Sequence, residues 1–138
     1  MTSQNNVLNY AKAIQKQLET IVSPVPVYAL FNRNFVKTQT KFITWQLRNV
    51  HQPVYTGPQA VKGIDTPVFQ VSIFTQKLED GFTIENQLAQ ALHGYQGQFG
   101  GTGGFWIAKA DLMWLYNTFD DTIGMHQIIL DCTLDIPA

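Results

Sequence analysis

Ile128-Ile129-Leu130-Asp131-Cys132-Thr133-Leu134-Asp135-Ile136 alternates strictly from Leu130 onward, with Leu130, Cys132, Leu134 and Ile136 on one side and Asp131, Thr133 and Asp135 on the other. A period of two is the signature of a strand with one buried face. Immediately before it, Asp120-Asp121-Thr122-Ile123-Gly124 reads as a tight turn. The stretch Phe105 to Asn117 on the other side of that turn is again strand-like, with Trp106, Ala108, Ala110, Leu112, Trp114 and Tyr116 assigned to one face. Two strands joined by a short turn predict an antiparallel hairpin.

The same pattern recurs further back in the chain. Phe69, Val71 and Ile73 alternate with Gln70, Ser72 and Phe74 in the stretch Pro67 to Gln76. In Lys41 to Val50, Ile43, Trp45 and Leu47 oppose Phe42, Thr44, Gln46 and Arg48. A short extended piece runs from Val27 to Phe31, and Asn32 to Thr40 reads as a loop or hairpin. Two segments carry a helical period instead. Val7, Ala11, Ile14, Leu18 and Ile21 form one stripe, with Asn5 or Asn6 as cap and Ser23-Pro24 as stop. Ile84, Leu88, Ala91, Leu92 and Tyr95 form another, with Asp80 or Thr83 as cap and Gly94 or Gly97 as stop. Between the two central strands, His51 to Thr66 holds Pro53, Gly57, Pro58 and Gly63, which argue against a regular element. These readings predict an α+β fold, a mainly antiparallel β-sheet with two amphipathic helices packed on one face, in a single domain spanning 1–138.

Composition narrows the function. The chain is 45% hydrophobic, which suits a folded core and excludes a disordered chain. No apolar run approaches the ~20 residues of a membrane span, and the polar Met1 to Asn6 is not expected to be a secretion signal. One cysteine, Cys132, excludes an intrachain disulfide framework and suits a reducing compartment. The 22 Asn and Gln residues outnumber 19 charged ones, and an amide-rich surface is less costly to bury against a partner than a charged one. The charges are also divided along the chain. Residues 1–64 hold seven lysines and arginines against Glu19 alone, whereas residues 65–138 hold Lys77 and Lys109 against nine acids. Such asymmetry points to an interaction surface.

No catalytic pattern emerges. The run Gly94 to Gly104 is glycine-rich but follows a helix and precedes a strand, the reverse of a phosphate-binding loop, and reads as a flexible connection. His51, His93 and His126 have no metal-ligand spacing, and Cys132 falls on an apolar strand face. The acid pairs Glu79-Asp80 and Asp120-Asp121 sit at a helix start and a turn, where carboxylates cap backbone amides. Trp45, Phe69, Trp106 and Trp114 are expected under the helices. Phe42, Phe74 and Phe105 fall on the opposite faces, where they are expected to meet another protein chain. No metal and no cofactor is expected.

Several segments together resemble the tail terminator proteins of long-tailed bacteriophages, also called tail completion or neck terminator proteins. They are Lys41-Phe42-Ile43-Thr44-Trp45, Phe69-Gln70-Val71-Ser72-Ile73-Phe74, Leu88-Ala89-Gln90-Ala91-Leu92-His93-Gly94-Tyr95, and the closing hairpin through Trp114 and Ile128-Ile129-Leu130-Asp131. Lys41 stands where that family usually has proline, and the Gly97 to Gly104 turn is richer in glycine. The resemblance implies a non-enzymatic virion protein assembled in the host cytoplasm. It implies a homohexameric ring on the tail tube that docks the head-neck connector or stopper protein. A sheath or collar protein would be a further neighbour, and genome DNA would pass through without sequence-specific binding. Another neck component, such as a head-completion or stopper protein, is the nearest alternative. A small α+β enzyme or ligand-binding domain is a more distant one.

Two expectations about contacts follow. The apolar residues of the His51 to Thr66 segment, Tyr55 and Ile64 among them, are expected to order on a neighbouring subunit or the tail tube. Arg33, Lys37, Arg48 and Lys62 are expected to face Glu79, Asp80, Asp120 or Asp121 of the next subunit.

Overall fold

The computed structural model describes residues 7–31, 39–51, 54–55, 61–62 and 65–137, with backbone alone at 54–55 and 61–62. Helix α1 (Val7–Val22) is followed by β1 (Val27–Ala29), β2 (Lys41–His51), the short β3 (Val54–Tyr55) and β4 (Val61–Lys62), and β5 (Thr66–Thr75). Helix α2 (Leu78–Leu92), a small hairpin of β6 (Gly97–Phe99) and β7 (Phe105–Ile107), and the long strands β8 (Lys109–Asp120) and β9 (Met125–Asp135) complete the order. Five strands form one sheet in the order β1-β2-β5-β9-β8. Only β1 lies parallel to its neighbour. The α+β architecture with a mainly antiparallel sheet and two helices is therefore as the periodicities predict.

Both helices pack on one face. Tyr10, Ile14, Leu18, Ile84, Leu88 and Leu92 meet Ile43, Phe69, Val71, Ile73, Leu130, Cys132 and Leu134 in the main core. Each fully buried aliphatic or aromatic side chain contributes about 1.5–3 kcal/mol relative to exposure. Gln15 fastens α1 to the sheet: its amide nitrogen donates to Val27 O (2.8 Å), and its carbonyl oxygen accepts from Trp45 Nε1 (2.6 Å). Helix α2 begins at Leu78 after an extended Lys77 that makes no side-chain cap, so neither Asp80 nor Thr83 caps it. Glu79 and Asp80 instead occupy its first turn, where their negative charge complements the positive end of the helix dipole. Ala91, assigned to the apolar stripe, is exposed, while Gly94 turns the chain at φ +79°.

The opposite sheet face corrects a second expectation. Phe42 and Phe74 are 0% and 4% exposed, and they form a small second core with Met125, flanked by Tyr28 and Ile123. Their rings stack at 4.9 Å, and Phe31 folds over the sheet edge to lie 5.1 Å from Phe74. Phe105 is likewise buried, edge-on to Tyr10. These aromatics are covered within the chain and do not await a partner.

The glycine run is a packed hairpin, not a flexible connection. Gly100 has φ +86°, its amide donates to Gln17 Oε1 (2.9 Å), and a Cβ there would stand 2.6 Å from Ala13 Cβ and 2.7 Å from Ala13 Cα. Left-handed backbone and contact with α1 both require glycine. Gly100→Ala should therefore cost about 2–4 kcal/mol. Gly103→Ala, where nothing lies within 4 Å, should stay within about 0.5 kcal/mol. Urea unfolding of the two variants checks the contrast.

Candidate assembly surface

Strand β8 is an edge of the sheet, and this position decides its chemistry. Alternation places its residues on faces but does not say whether anything covers those faces. The helices cover the central strands and reach β8 only at its start. There the end of α2 closes the edge: Gly94 N–H donates to Ala110 O (2.8 Å), Ala110 N–H to Tyr95 O (2.9 Å) and Leu112 N–H to His93 Nδ1 (3.1 Å). Past that point the side chains are open. Met113, Trp114, Tyr116 and Phe119 are 61%, 46%, 52% and 51% exposed.

Trp114 and Trp106, the latter on β7, are thus not under the helices as their alternation implies. Phe105 to Asn117 is not one strand either, since β7 pairs with β6 while β8 pairs with β9. A shift in register between Trp114 and Tyr116 then moves Tyr116 to the other face, opposite Ile129. The signal that could have found this surface is the run Met113-Trp114-Leu115-Tyr116, where apolar residues fill both faces at once. A strand with two apolar faces is either central or an interface.

The structure distributes the sequence-selected charges unevenly. Glu79 and Asp80 at the start of α2, and Asp120 and Asp121 at the β8–β9 turn, share one end of the sheet, because Thr75 pairs with His126 there. Asp120 accepts from Thr122 N–H (3.0 Å) and so shapes the turn, whereas Asp121 is exposed. The ends of the His51 to Thr66 segment meet at the opposite end, where His51 pairs with Thr66. Within it Val54–Tyr55 pairs with Val61–Lys62 as a short ladder, so the prolines and glycines do not forbid every regular element there. Tyr55 and Lys62 are placed on that ladder, while Arg33, Lys37 and Ile64 lie outside the described residues. Arg48 is engaged within its own chain, its Nη1 lying 3.1 and 3.0 Å from the two carboxylate oxygens of Asp131. Lys109 similarly meets Asp111 (3.3 Å) and Asp135 (3.9 Å).

Among the described residues no group of three His, Cys, Asp or Glu side chains could hold a metal ion, and no helix is long and apolar enough to cross a membrane. Cys132 is fully buried, and burial first, then Asp111 and Asp131, push its thiol up to about 12. A groove of about 500 Å³ follows the β8 edge, lined by His93, Asp111, Met113 and Trp114 among others. His93 Nδ1 is already occupied by the Leu112 amide.

No protein-family model matches the sequence, and no curated protein matches it. Solved structures do share its fold. One is a chain in the virion of a native gene transfer agent particle, with TM-score 0.55 and 12% identity over 94% of this chain and 91% of that one. Another is from the sheath/tube terminator of an extracellular contractile injection system in its extended state, with TM-score 0.52 and 8% identity. That match covers 99% of this chain and 58% of the other. At such identities the likeness is one of fold.

Proposed function

We propose that the protein is a structural component of a phage-like tail, a terminator that assembles as a ring, ends growth of the tail tube and docks the head-neck connector or stopper. The observation that carries this is the fold shared with a sheath/tube terminator along 99% of this chain. The exposed apolar edge of β8 and the amide-rich composition support it independently, since both favour burial against other protein. Unlike surfaces at opposite ends of one sheet suit a head-to-tail contact, which closes into a ring when the rotation permits. The neighbours in this reading are copies of the chain itself, the tail tube, and a sheath or collar protein, with DNA threading the centre without sequence-specific binding. The protein then resides in the virion and has no enzymatic role.

Native mass spectrometry and electron microscopy of the purified protein test this reading. A closed ring, six-membered by the resemblance, is the expected result, and a compact monomer at every concentration would overturn it. Charge contributes a moderate share. Exposed ion pairs are worth about 0–1 kcal/mol each but repeat at every interface of a ring. Raising salt should weaken assembly without abolishing it, because screening acts within roughly 8 Å at physiological ionic strength. Asp121→Lys should shift the population toward monomer, with reversal of Arg33 and Lys37 partly restoring rings. Asp121 is the cleaner position because Asp120 also holds the turn. Rings indifferent to salt and to both reversals would leave apolar contacts as the sole support.

A further inference from the structure

The open half of β8 has few of the devices that usually keep an edge strand from pairing: a register shift between Trp114 and Tyr116 and the terminal Asp120 are its only ones among the described residues. From Ala110 to Asp120 it contains no lysine and no proline, and four large apolar side chains stand at least 46% exposed along it. Natural sheet proteins blunt such edges with charge, proline, a β-bulge or a covering element, and here the bulge re-aims Tyr116 without removing the exposed apolar side chains. Here the chain covers the first part of the edge with the end of α2, through Gly94, Tyr95 and His93, and stops at Leu112. One half of the edge is protected and the apolar half is left available.

The β3–β4 ladder is the complementary piece. It is two residues long on each strand. A two-stranded ladder of that size is marginal in water and gains stability from a third strand. Residues 51–64 contain Val54, Tyr55, Val61 and Ile64, with His51 and Lys62 as the basic side chains and no carboxylate. The β8 edge ends in Asp120 and Asp121, and its lysine, Lys109, is already paired at the far end of the strand. Apolar character matches on both sides, and charge is opposite. The ladder springs from the end of the sheet where His51 meets Thr66, whereas the open part of β8 runs to the end where Asp120 meets Met125. Donor and acceptor thus sit at opposite ends of one chain, which suits pairing between copies.

We propose that the outer edge of β8 from Met113 to Asp120 is the seat of the β3–β4 arm of a second copy of this chain. The β3–β4 ladder adds to the edge by backbone hydrogen bonding, beside Trp114, Tyr116 and Phe119. This rests on the ring reading and supplies the head-to-tail contact that such a ring needs.

Engineered cysteines test it, because the native Cys132 is fully buried and does not compete. Val54→Cys and Tyr116→Cys are made in separate chains, mixed and oxidised. A second pair, Tyr55→Cys with Trp114→Cys, covers the alternative face. The expected result is a disulfide-linked dimer from a mixture and none from any variant alone. Independently, Trp114→Glu with Tyr116→Glu should leave the circular dichroism spectrum and the melting of the monomer unchanged while weakening association at least about tenfold. Cross-linking of Tyr116→Cys with itself would mean that two β8 edges pair with each other, and would overturn the proposal. Rings that form with no cross-link in either pair, and that tolerate the double glutamate variant, would overturn it while leaving the ring reading intact. Absence of any oligomer would overturn both.

Discussion

Tyr10→Ala should lower the free energy of unfolding by about 3–5 kcal/mol, the range for truncating a fully buried aromatic residue. Tyr10 is 0% exposed, lies edge-on to Phe105 at 5.5 Å, and donates its hydroxyl proton to Asp65 Oδ2. Asp65 is itself buried, and its backbone exchanges two hydrogen bonds with Ile136 (2.9 and 2.8 Å). One side chain on α1 thus ties the helix to the base of the arm and to the end of the last strand. Tyr10→Phe keeps the ring and removes the donor, so it should cost about 1–3 kcal/mol. A domain of this size is stable by only about 5–15 kcal/mol, so the alanine variant gives up a large share. Urea titrations of the two variants separate packing from hydrogen bonding. A phenylalanine variant as stable as the parent would show that the carboxylate does not depend on the hydroxyl.

Alkaline pH should destabilise the fold through Cys132. Its thiol is raised from 9.0 to about 12 by burial, with Asp111 and Asp131 adding to the effect. The folded chain therefore retains a proton that the unfolded chain releases above about pH 9. Between the two values the unfolded state binds fewer protons, so stability falls as pH rises. The stabilising effect is complete below pH 9, and about 4 kcal/mol is lost by pH 12. Other groups titrate in the same window, so the comparison is with Cys132→Val, which is nearly isosteric and carries no proton to lose. At about pH 11 the parent should have lost roughly 3 kcal/mol more than the variant, relative to neutral pH. Parallel pH curves for the two chains would mean that water reaches the thiol in the folded state.

Local pattern and tertiary context divide the structure between them in a way particular residues make plain. The alternation in Lys41 to Val50 assigned Arg48 to the face opposite Ile43, Trp45 and Leu47. On that face Arg48 meets Asp131, 83 residues away. No local feature announces that partner, because it depends on β5 lying between the two strands. Trp45 and Trp114 look alike as members of alternating runs. The first is held by Gln15 on α1, and the second stands on an edge that the helices do not reach. Phe42 and Phe74 were legible as residues of the face opposite the main core, but that they stack on each other and against Phe31 instead of meeting another chain depends on tertiary packing.

The two helices, the main strands and the buried faces of β2, β5 and β9 come from the sequence by itself, since periods of 2 and 3.6 are local properties of neighbouring side chains. Tertiary structure alone decided which apolar surfaces remain uncovered, which charges are already paired, and why Gly100 must be glycine. Those outcomes depend on strand order and on the reach of the two helices across the sheet, and such quantities emerge only when distant segments pack. The same division explains the candidate site. Its residues were visible as strand residues, but a strand becomes an assembly surface only by standing last in the sheet.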